Sequence, residues 1–125
     1  MREIIKIGES EYRLCLILWE HEPIPSGELV KLCEEQLNWK PTTTYTVIKR
    51  LSNRGILKNE HSVVTSLVSK AEVQDAEMEE FIKNRFEDSV PSFLASFTRR
   101  QKLSQKDIDE LQALIDSYRR GEEDE

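Results

Sequence analysis

Residues 39–55, WKPTTTYTVIKRLSNRG, are the most informative segment of the chain, because they predict one helix with both of its ends marked. Pro41 suits the first helical turn, where a missing N–H has no cost, and Gly55 suits the left-handed position that closes the last turn. Between these residues, side chains that can be buried recur at i, i+3, i+4 and i+7. This spacing predicts one buried stripe on the helix, made of Thr44, Val47, Ile48 and Leu51.

The opposite face of this helix is polar and carries no carboxylate. At about 100° per residue, it contains Thr42, Thr46, Lys49 and Asn53. Three consecutive threonines are poor helix formers, so helix stability does not explain them. Hydroxyls and cations without acids fit a surface that lies against phosphates and base edges. A solvated helix face is the ordinary alternative, and this helix alone leaves it open.

The neighbouring segments predict a helix-turn-helix followed by a β-hairpin. A short edge strand through Ile4 and Ile5 precedes the first helix, and Ser26 is the expected N-cap of the second. Two helices joined by a tight turn are the helix-turn-helix plan, and a hairpin directly after them is a wing. The predicted helices span residues 9–22 and 27–37, and the predicted strands span 56–59 and 63–68.

Three further amphipathic helices are predicted in the C-terminal part, over residues 70–86, 89–100 and from Ser104 to a stop at Gly121. Three short helices cannot bury their apolar side chains alone. The pattern leaves packing within the chain and pairing with a second copy as equal alternatives. A helix-turn-helix favours pairing, because a two-fold protein matches a near-palindromic site. The predicted dimerisation residues are Phe81, Phe86, Phe93, Leu94, Phe97, Ile108, Leu111, Ile115 and Tyr118.

Composition indicates a soluble globular chain, because charged residues make up 34% and apolar residues 38% of the 125 residues. The longest apolar run, Leu14–Trp19, is too short to cross a bilayer. We expect a cytoplasmic protein without membrane insertion or a secretory signal. Cys15 and Cys33 fall on predicted apolar helix faces and are expected to be small buried hydrophobes. Neither the cysteines nor the histidines have metal-site spacing, so we expect no metal and no cofactor.

The net charge of −6 is unevenly distributed along the chain. Residues 1–70 carry ten Lys/Arg and nine Asp/Glu, whereas residues 71–125 carry eight and fifteen. The acid therefore lies in the C-terminal part, including the tail 122–125, which is predicted to be disordered. A near-neutral N-terminal half indicates modest non-specific affinity for nucleic acid and a strong need for a dimer.

Taken in order, these residues resemble the penicillinase-repressor family, the BlaI, MecI and CopY type of bacterial winged-helix repressor. The similar segments are Ser10-Glu11-Tyr12 with Leu18-Trp19, Ser26-Gly27-Glu28-Leu29, Asn38-Trp39-Lys40-Pro41-Thr42-Thr43 with Lys49-Arg50-Leu51 and Arg54-Gly55, Ser66-Leu67-Val68, and Leu103-Ser104-Gln105 with Ile108 and Glu110-Leu111.

The resemblance implies a mainly α fold with a small β-wing, and a homodimeric repressor of double-stranded operator DNA. Its implied domains are a winged-helix DNA-binding domain at 1–69, a helical dimerisation region at 70–121 and an acidic tail at 122–125. Antibiotic-resistance or stress genes would be its targets. Lys49 and Arg50 are assigned mainly to phosphates, since no acid lies near them in sequence. The expected DNA-binding residues are Ser26, Lys40, Thr42, Thr43, Tyr45, Thr46, Lys49, Arg50 and Lys58.

Induction is also implied by the resemblance. In the β-lactam branch of the family, a membrane sensor protease triggers cleavage between Asn and Phe in the dimerisation region. The matching pair here is Ser96-Phe97, a candidate cleavage site. The copper-responsive branch ends in paired CxC motifs, and this chain has no cysteine after Cys33, so copper sensing of that kind is not expected.

Several departures from the family favour an alternative, a winged-helix protein-interaction module with weak or no DNA binding. The family's recognition helix usually has basic residues where this chain has Thr42 and Tyr45. Tyr45 is therefore expected to contact a thymine methyl group, whereas a basic residue would make bidentate hydrogen bonds to guanine. The wing is also shorter than in the family. An enzyme is not indicated, because no nucleophilic triad, Gly-rich phosphate loop or metal cluster is visible in the sequence.

Overall fold

The computed structural model describes residues 6–123 and divides into two compact units, Met1–Glu80 and Phe81–Glu125. The predicted edge strand through Ile4 and Ile5 lies outside the described residues, as does the end of the acidic tail. All six predicted helices and both hairpin strands are confirmed. The elements are α1 (Glu9–His21), β1 (Ile24–Pro25), α2 (Ser26–Leu37), α3 (Pro41–Asn53), β2 (Leu57–Glu60), β3 (Val63–Ser66), α4 (Lys70–Arg85), α5 (Val90–Arg100) and α6 (Gln105–Glu123).

The first unit contains a three-stranded antiparallel sheet in the order β1-β3-β2. The hairpin turns at His61 and Ser62, whose φ angles of 52° and 63° are those of a tight two-residue turn. The strand β1 was not predicted, because it has two residues and one of them is Pro25. Its strand conformation comes from pairing with β3, where Ile24 faces Val64. A proline is tolerated there because β1 is an edge strand.

Pairing of β1 with the hairpin also corrects the prediction for Ser26. The Ser26 N–H donates to the carbonyl oxygen of Ser62 at 2.8 Å, so Ser26 is the first residue of α2 and Pro25 occupies the N-cap position. The predicted side-chain cap is absent at this helix start. Ser26 is buried, and its side chain is therefore a poor candidate for contact with DNA.

The core of the first unit lies between the three N-terminal helices and the sheet. Leu14 and Leu18 of α1, Leu29 of α2, Leu51 of α3 and Val64 of β3 are completely buried. The predicted stripe of α3 is confirmed, and its four members, Thr44, Val47, Ile48 and Leu51, are all buried.

Both cysteines belong to this core, as the sequence predicted. Burial, helped by the nearby Glu11 carboxylate, raises the pKa of the Cys15 thiol to about 12. Burial likewise raises the pKa of Cys33. Because the thiolate is the reactive form, both side chains behave as small hydrophobes.

Both predicted ends of α3 are confirmed. Pro41 is its first helical residue, and Gly55 follows the C-cap with φ +77°. The Gly55 N–H donates to Ser52 O and the Ile56 N–H donates to Leu51 O, which is the Schellman arrangement. The wing therefore leaves α3 in a fixed direction.

The helix α4 begins in the first unit. Ser69 caps it, since its hydroxyl accepts from the Glu72 N–H at 3.0 Å and the Glu72 carboxylate accepts from the Ser69 N–H. Val73, one turn further on, is completely buried and belongs to the core of the first unit. The first unit extends to Glu80 and includes this part of α4.

The second unit is built around clustered aromatic rings. Phe81, Phe86 and Phe93 form a triangle with centroid distances of 5.6 to 6.3 Å, and Phe97 lies 6.4 Å from Phe93. Ser89 caps α5 by accepting from the Ser92 N–H at 3.1 Å.

The start of α6 is confirmed and its end is not. The Ser104 hydroxyl accepts from the Asp107 N–H at 3.0 Å, so Ser104 caps the helix at the predicted start. The helix then continues through Gly121 to Glu123, so the prediction that Gly121 ends it was wrong. One glycine costs a helix only about 1 kcal/mol, and the arginines and glutamates around Gly121 are good helix formers.

Candidate nucleic-acid interface

The outer face of α3 is exposed along most of the helix. Thr42, Thr43, Tyr45, Thr46 and Lys49 are all exposed, and Tyr45 keeps 47% of its surface. Beside this face lies an open groove of about 390 Å³. It is lined by Ser10, Trp39, Thr42, Thr43, Thr46, Val47 and Arg50. The structure therefore brings the predicted α3 residues onto one accessible surface.

The hydroxyl groups on this face keep acceptor capacity. The Thr46 hydroxyl donates its proton to the Thr42 carbonyl oxygen at 2.8 Å, which leaves the lone pairs of the hydroxyl oxygen available. No acid lies in the first turn of α3 and no side chain caps that turn. Pro41 has no N–H, and the Thr43 and Thr44 N–H groups donate to Lys40 O at 3.0 and 3.2 Å. The N-terminal end therefore attracts anions mainly through its positive partial charge.

Arg50 is paired with an acid, contrary to the sequence argument. Its Nε donates to Oε2 of Glu11 on α1 at 2.9 Å, although the two residues are 39 positions apart. Half of the Arg50 side chain remains exposed. Arg50 is thus a partly neutralised cation on the rim of the groove.

Glu11 is the acceptor at the centre of this arrangement. Its carboxylate is almost completely buried and accepts from the Gly8 N–H at 2.8 Å, from Arg50, and from Arg54 Nη1 at 3.1 Å to both oxygens. Burial alone would raise the pKa of this carboxyl. The Gly8 N–H and the two guanidiniums outweigh burial and hold the pKa of Glu11 below its ordinary value.

Sequence reasoning missed the role of Glu11, although one signal was available. Glu11, Leu14, Cys15 and Leu18 follow the i, i+3, i+4, i+7 spacing of the buried stripe of α1. A carboxylate in a buried stripe needs a partner. The sequence does not reveal which of the ten basic residues in the first 70 supplies it.

Replacement of Glu11 by glutamine should destabilise the first unit in a pH-dependent manner. Because the pKa of Glu11 is lowered by folding, its charged contacts stabilise the fold above about pH 4.5 and are lost as the pH falls further. Urea unfolding at pH 7 should show that the free energy of unfolding falls by about 1.5–3 kcal/mol, the range for hydrogen bonds to charged groups. At pH 3 the two proteins should differ less, since the contribution of a carboxyl with a lowered pKa declines as the pH falls below its ordinary value of 4.5.

The matched control for this experiment is Glu9→Gln. Glu9 lies on the same helix and pairs with Arg13 at 3.2 Å, but both side chains are exposed. Its replacement should change the free energy of unfolding by less than about 1 kcal/mol at either pH. An equal loss in the Glu11 variant at pH 7 and pH 3 would contradict a charge-dependent contribution.

The remaining predicted cations have different surroundings. Lys49 is exposed, and none of residues 6–123 pairs with its ammonium group. Lys40 is exposed at the N-cap of α3. Lys58, on β2, lies 3.7 Å from the Glu60 carboxylate, which weakens the case for Lys58 as a DNA contact.

In the part of the chain that the structure describes, no helix is long and apolar enough to cross a membrane. Over the same residues, no group of three or more His, Cys, Asp or Glu side chains could hold a metal ion.

Three helices, a hairpin after the third helix and an acid-free outer face on that helix define a winged helix-turn-helix protein. The penicillinase repressor family model matches residues 7–117 of the chain. The protein therefore belongs to the penicillinase repressor family.

Individual relatives agree with this assignment. The chain is 23% identical to the penicillinase repressor of Bacillus licheniformis over 124 residues, which cover 95% of this chain and 96% of that protein. It is 24% identical to the methicillin resistance regulatory protein MecI of Mammaliicoccus sciuri over 114 residues, which cover 88% and 93% of the two proteins.

Two solved structures resemble the winged-helix part. The solution structure of the DNA-binding domain of the repressor BlaI matches 58% of this chain and 93% of that domain, with a TM-score of 0.51 and 25% identity. The solution structure of monomeric Bacillus licheniformis BlaI in complex with the blaP half-operator covers the same shares, with a TM-score of 0.50 and 26% identity.

Proposed function

We propose that this protein is a transcriptional repressor that binds operator DNA sequence-specifically, with α3 in the major groove. The observation that carries the proposal is the exposed, acid-free face of α3. An α-helix fits the major groove, where side-chain hydroxyls can contact base edges and phosphates. A relative with the same fold was solved on a half-operator, which supports the same use of the fold here.

We further propose that the repressor is a homodimer on a near-palindromic operator. The second unit leaves a row of large apolar side chains on α6 in solvent: Ile108 and Ile115 are about half exposed and Tyr118 is 72% exposed. Contiguous exposed apolar surface marks an interaction site. Two copies would bury this row and place two copies of α3 on two half-sites. In functional terms, residues 1–69 would bind DNA and residues 70–121 would dimerise.

The targets and the induction route follow from family membership as proposals. Antibiotic-resistance or stress genes are the proposed targets, and the cytoplasm is the proposed location. Cleavage at Ser96-Phe97 by way of a membrane sensor protease would have to act on α5, where Ser96 is half-buried and Phe97 packs on Phe93. Local opening of this helix would therefore precede any cut.

A protein-interaction module remains the second candidate, and one observation favours it. Five cations among the described residues of the first unit face acids. Arg50 and Arg54 share Glu11, and the other three pairs are Lys58 with Glu60, Arg13 with Glu9 and Lys6 with Glu80. Fewer free cations mean weaker electrostatic attraction to DNA.

A gel-shift assay with the DNA upstream of the protein's own gene separates the two functions. A repressor should bind this fragment at nanomolar concentrations and prefer it to a shuffled duplex of equal length. Equal, weak binding to both duplexes would favour the interaction module. Chromosomal neighbours provide a second test, because a membrane metalloprotease sensor encoded next to the gene would support the induction route.

Lys49 gives a quantitative test of phosphate contact. Its ammonium group is exposed and has no acidic partner among the described residues. Lys49→Ala should weaken binding to the specific duplex and to the shuffled duplex about equally. It should also reduce the slope of log affinity against log salt concentration by about one. Affinity measured from low to physiological salt gives this slope. An unchanged slope would mean that Lys49 only solvates α3 and complements its C-terminal dipole.

A further inference from the structure

The guanidinium of Arg50 is held on one edge and open on the other. Its Nε donates to Glu11, and within residues 6–123 no other acceptor lies at hydrogen-bond distance from it. An arginine has five N–H donors, so four remain for another ligand. Arg50 lines the same groove as Thr42 and Thr46.

Arg54, by contrast, makes three hydrogen bonds to the protein. Its Nη1 donates to both oxygens of Glu11, and its Nη2 donates to the carbonyl oxygen of Lys6. Arg54 can therefore balance the charge of Glu11. One carboxylate between two guanidiniums leaves a net charge of about +1, and the open edge of Arg50 presents this charge to solvent.

We infer that Glu11 is a positioning residue for DNA specificity, which holds Arg50 by its Nε so that the two Nη groups meet a backbone phosphate in one fixed direction. This inference rests on the proposed DNA binding. A guanidinium fork matches a pair of phosphate oxygens. If the direction of the fork is fixed, it meets a phosphate only when α3 lies in register with its bases. A freely rotating arginine would reach a phosphate on any sequence.

Simple electrostatics makes the opposite prediction for the removal of Glu11. A carboxylate beside the DNA face repels phosphates, so Glu11→Gln should tighten binding to every duplex if charge alone matters. If Glu11 positions Arg50, the same substitution should weaken binding to the preferred sequence and spare binding to others. Charge repulsion by Glu11 and positioning of Arg50 by Glu11 therefore predict different changes in the ratio of specific to non-specific affinity.

The probes are a duplex that the wild-type full-length protein selects from a random-sequence pool and a shuffled duplex of the same composition. Glu11→Gln should bind the selected duplex about tenfold more weakly and the shuffled duplex equally or more tightly. The control is Glu9→Gln, which removes the same charge from the same helix without touching α3. Its affinity ratio should stay at the wild-type value. An unchanged ratio in the Glu11 variant would overturn the inference.

A second variant keeps the test decisive if Glu11→Gln does not fold. Arg50→Lys preserves the charge at a half-exposed position, but a compact ammonium lacks the fork that can face Glu11 and a phosphate at once. The affinity ratio of Arg50→Lys should fall as far as that of Glu11→Gln, with an unchanged salt slope, and the double variant should lose no more. A wild-type ratio in Arg50→Lys would overturn the inference.

Failure of the inference is distinguishable from failure of the proposed function. A wild-type protein that enriches no duplex from the pool would refute sequence-specific DNA binding itself. A wild-type protein with a clear preference, together with variants of equal preference, would refute only the role of Glu11.

Discussion

Replacement of Ile115 by lysine should convert a dimer into a monomer and weaken binding to a duplex with two half-sites by about 100-fold or more, because linked sites gain affinity by about that factor. Ile115 lies on α6 with nearly half of its surface exposed, in line with Ile108, Leu111 and Tyr118. A lysine there would have to bury a charge in the paired state, which is costly without a partner. Sedimentation at micromolar concentration and gel shift would measure both effects.

The control for this variant is Ala113→Lys. Ala113 is exposed and lies on the opposite side of α6, at about 100° per residue, so the same charge is added outside the apolar row. This control should remain dimeric. Affinity for a single half-site should be unchanged in both variants, because the first unit is untouched. A wild-type chain that sediments as a monomer at micromolar concentration would refute the dimer.

Thr43→Ala and Tyr45→Ala should each weaken binding to the selected operator by about 1–3 kcal/mol and relax its specificity. Both residues are exposed near the N-terminal end of α3, the end that usually meets base edges. Because neither side chain belongs to the core, the melting temperatures should stay close to the wild-type value. Tyr45→Ala should also reduce the preference for thymine at one position, since the proposed contact is apolar.

Asn53→Ala is the matched control on the same helix. Asn53 is an exposed residue of the last turn of α3, about three turns from Thr43. Its replacement should cost less than either N-terminal substitution, as expected for a residue far from the base edges. Unchanged specific binding by both the Thr43 and Tyr45 variants would mean that another part of α3 faces the bases.

The sequence predicts local structure correctly where all the interacting residues lie within one short segment. Ser69 with Glu72 and Ser104 with Asp107 are three residues apart, and each pair forms a cap at a predicted helix start. Gly121 is an exception, because glycine often follows the end of a helix but is also tolerated within one, and here it lies inside α6.

The sequence did not predict features that depend on contact with a residue far away in the chain. The strand β1 exists because Ile24 pairs with Val64, and a two-residue segment with a proline has no strand pattern of its own. The same pairing places Pro25, not Ser26, at the N-cap position of α2. Val73 likewise joins the core of the first unit although it follows a capped helix start that resembles a domain boundary.

Several features could be predicted from the sequence: the helices, the hairpin, the buried stripe and acid-free outer face of α3, and the resemblance to penicillinase repressors. These follow from periodicity and turn residues, which act over a few positions. The net charge beside the outer face of α3 depends instead on tertiary packing. Arg50 and Arg54 lie 39 and 43 positions from Glu11, and only the packing of α1 against α3 brings the three together. A buried carboxylate needs a cation, but chain folding selects which cation reaches it.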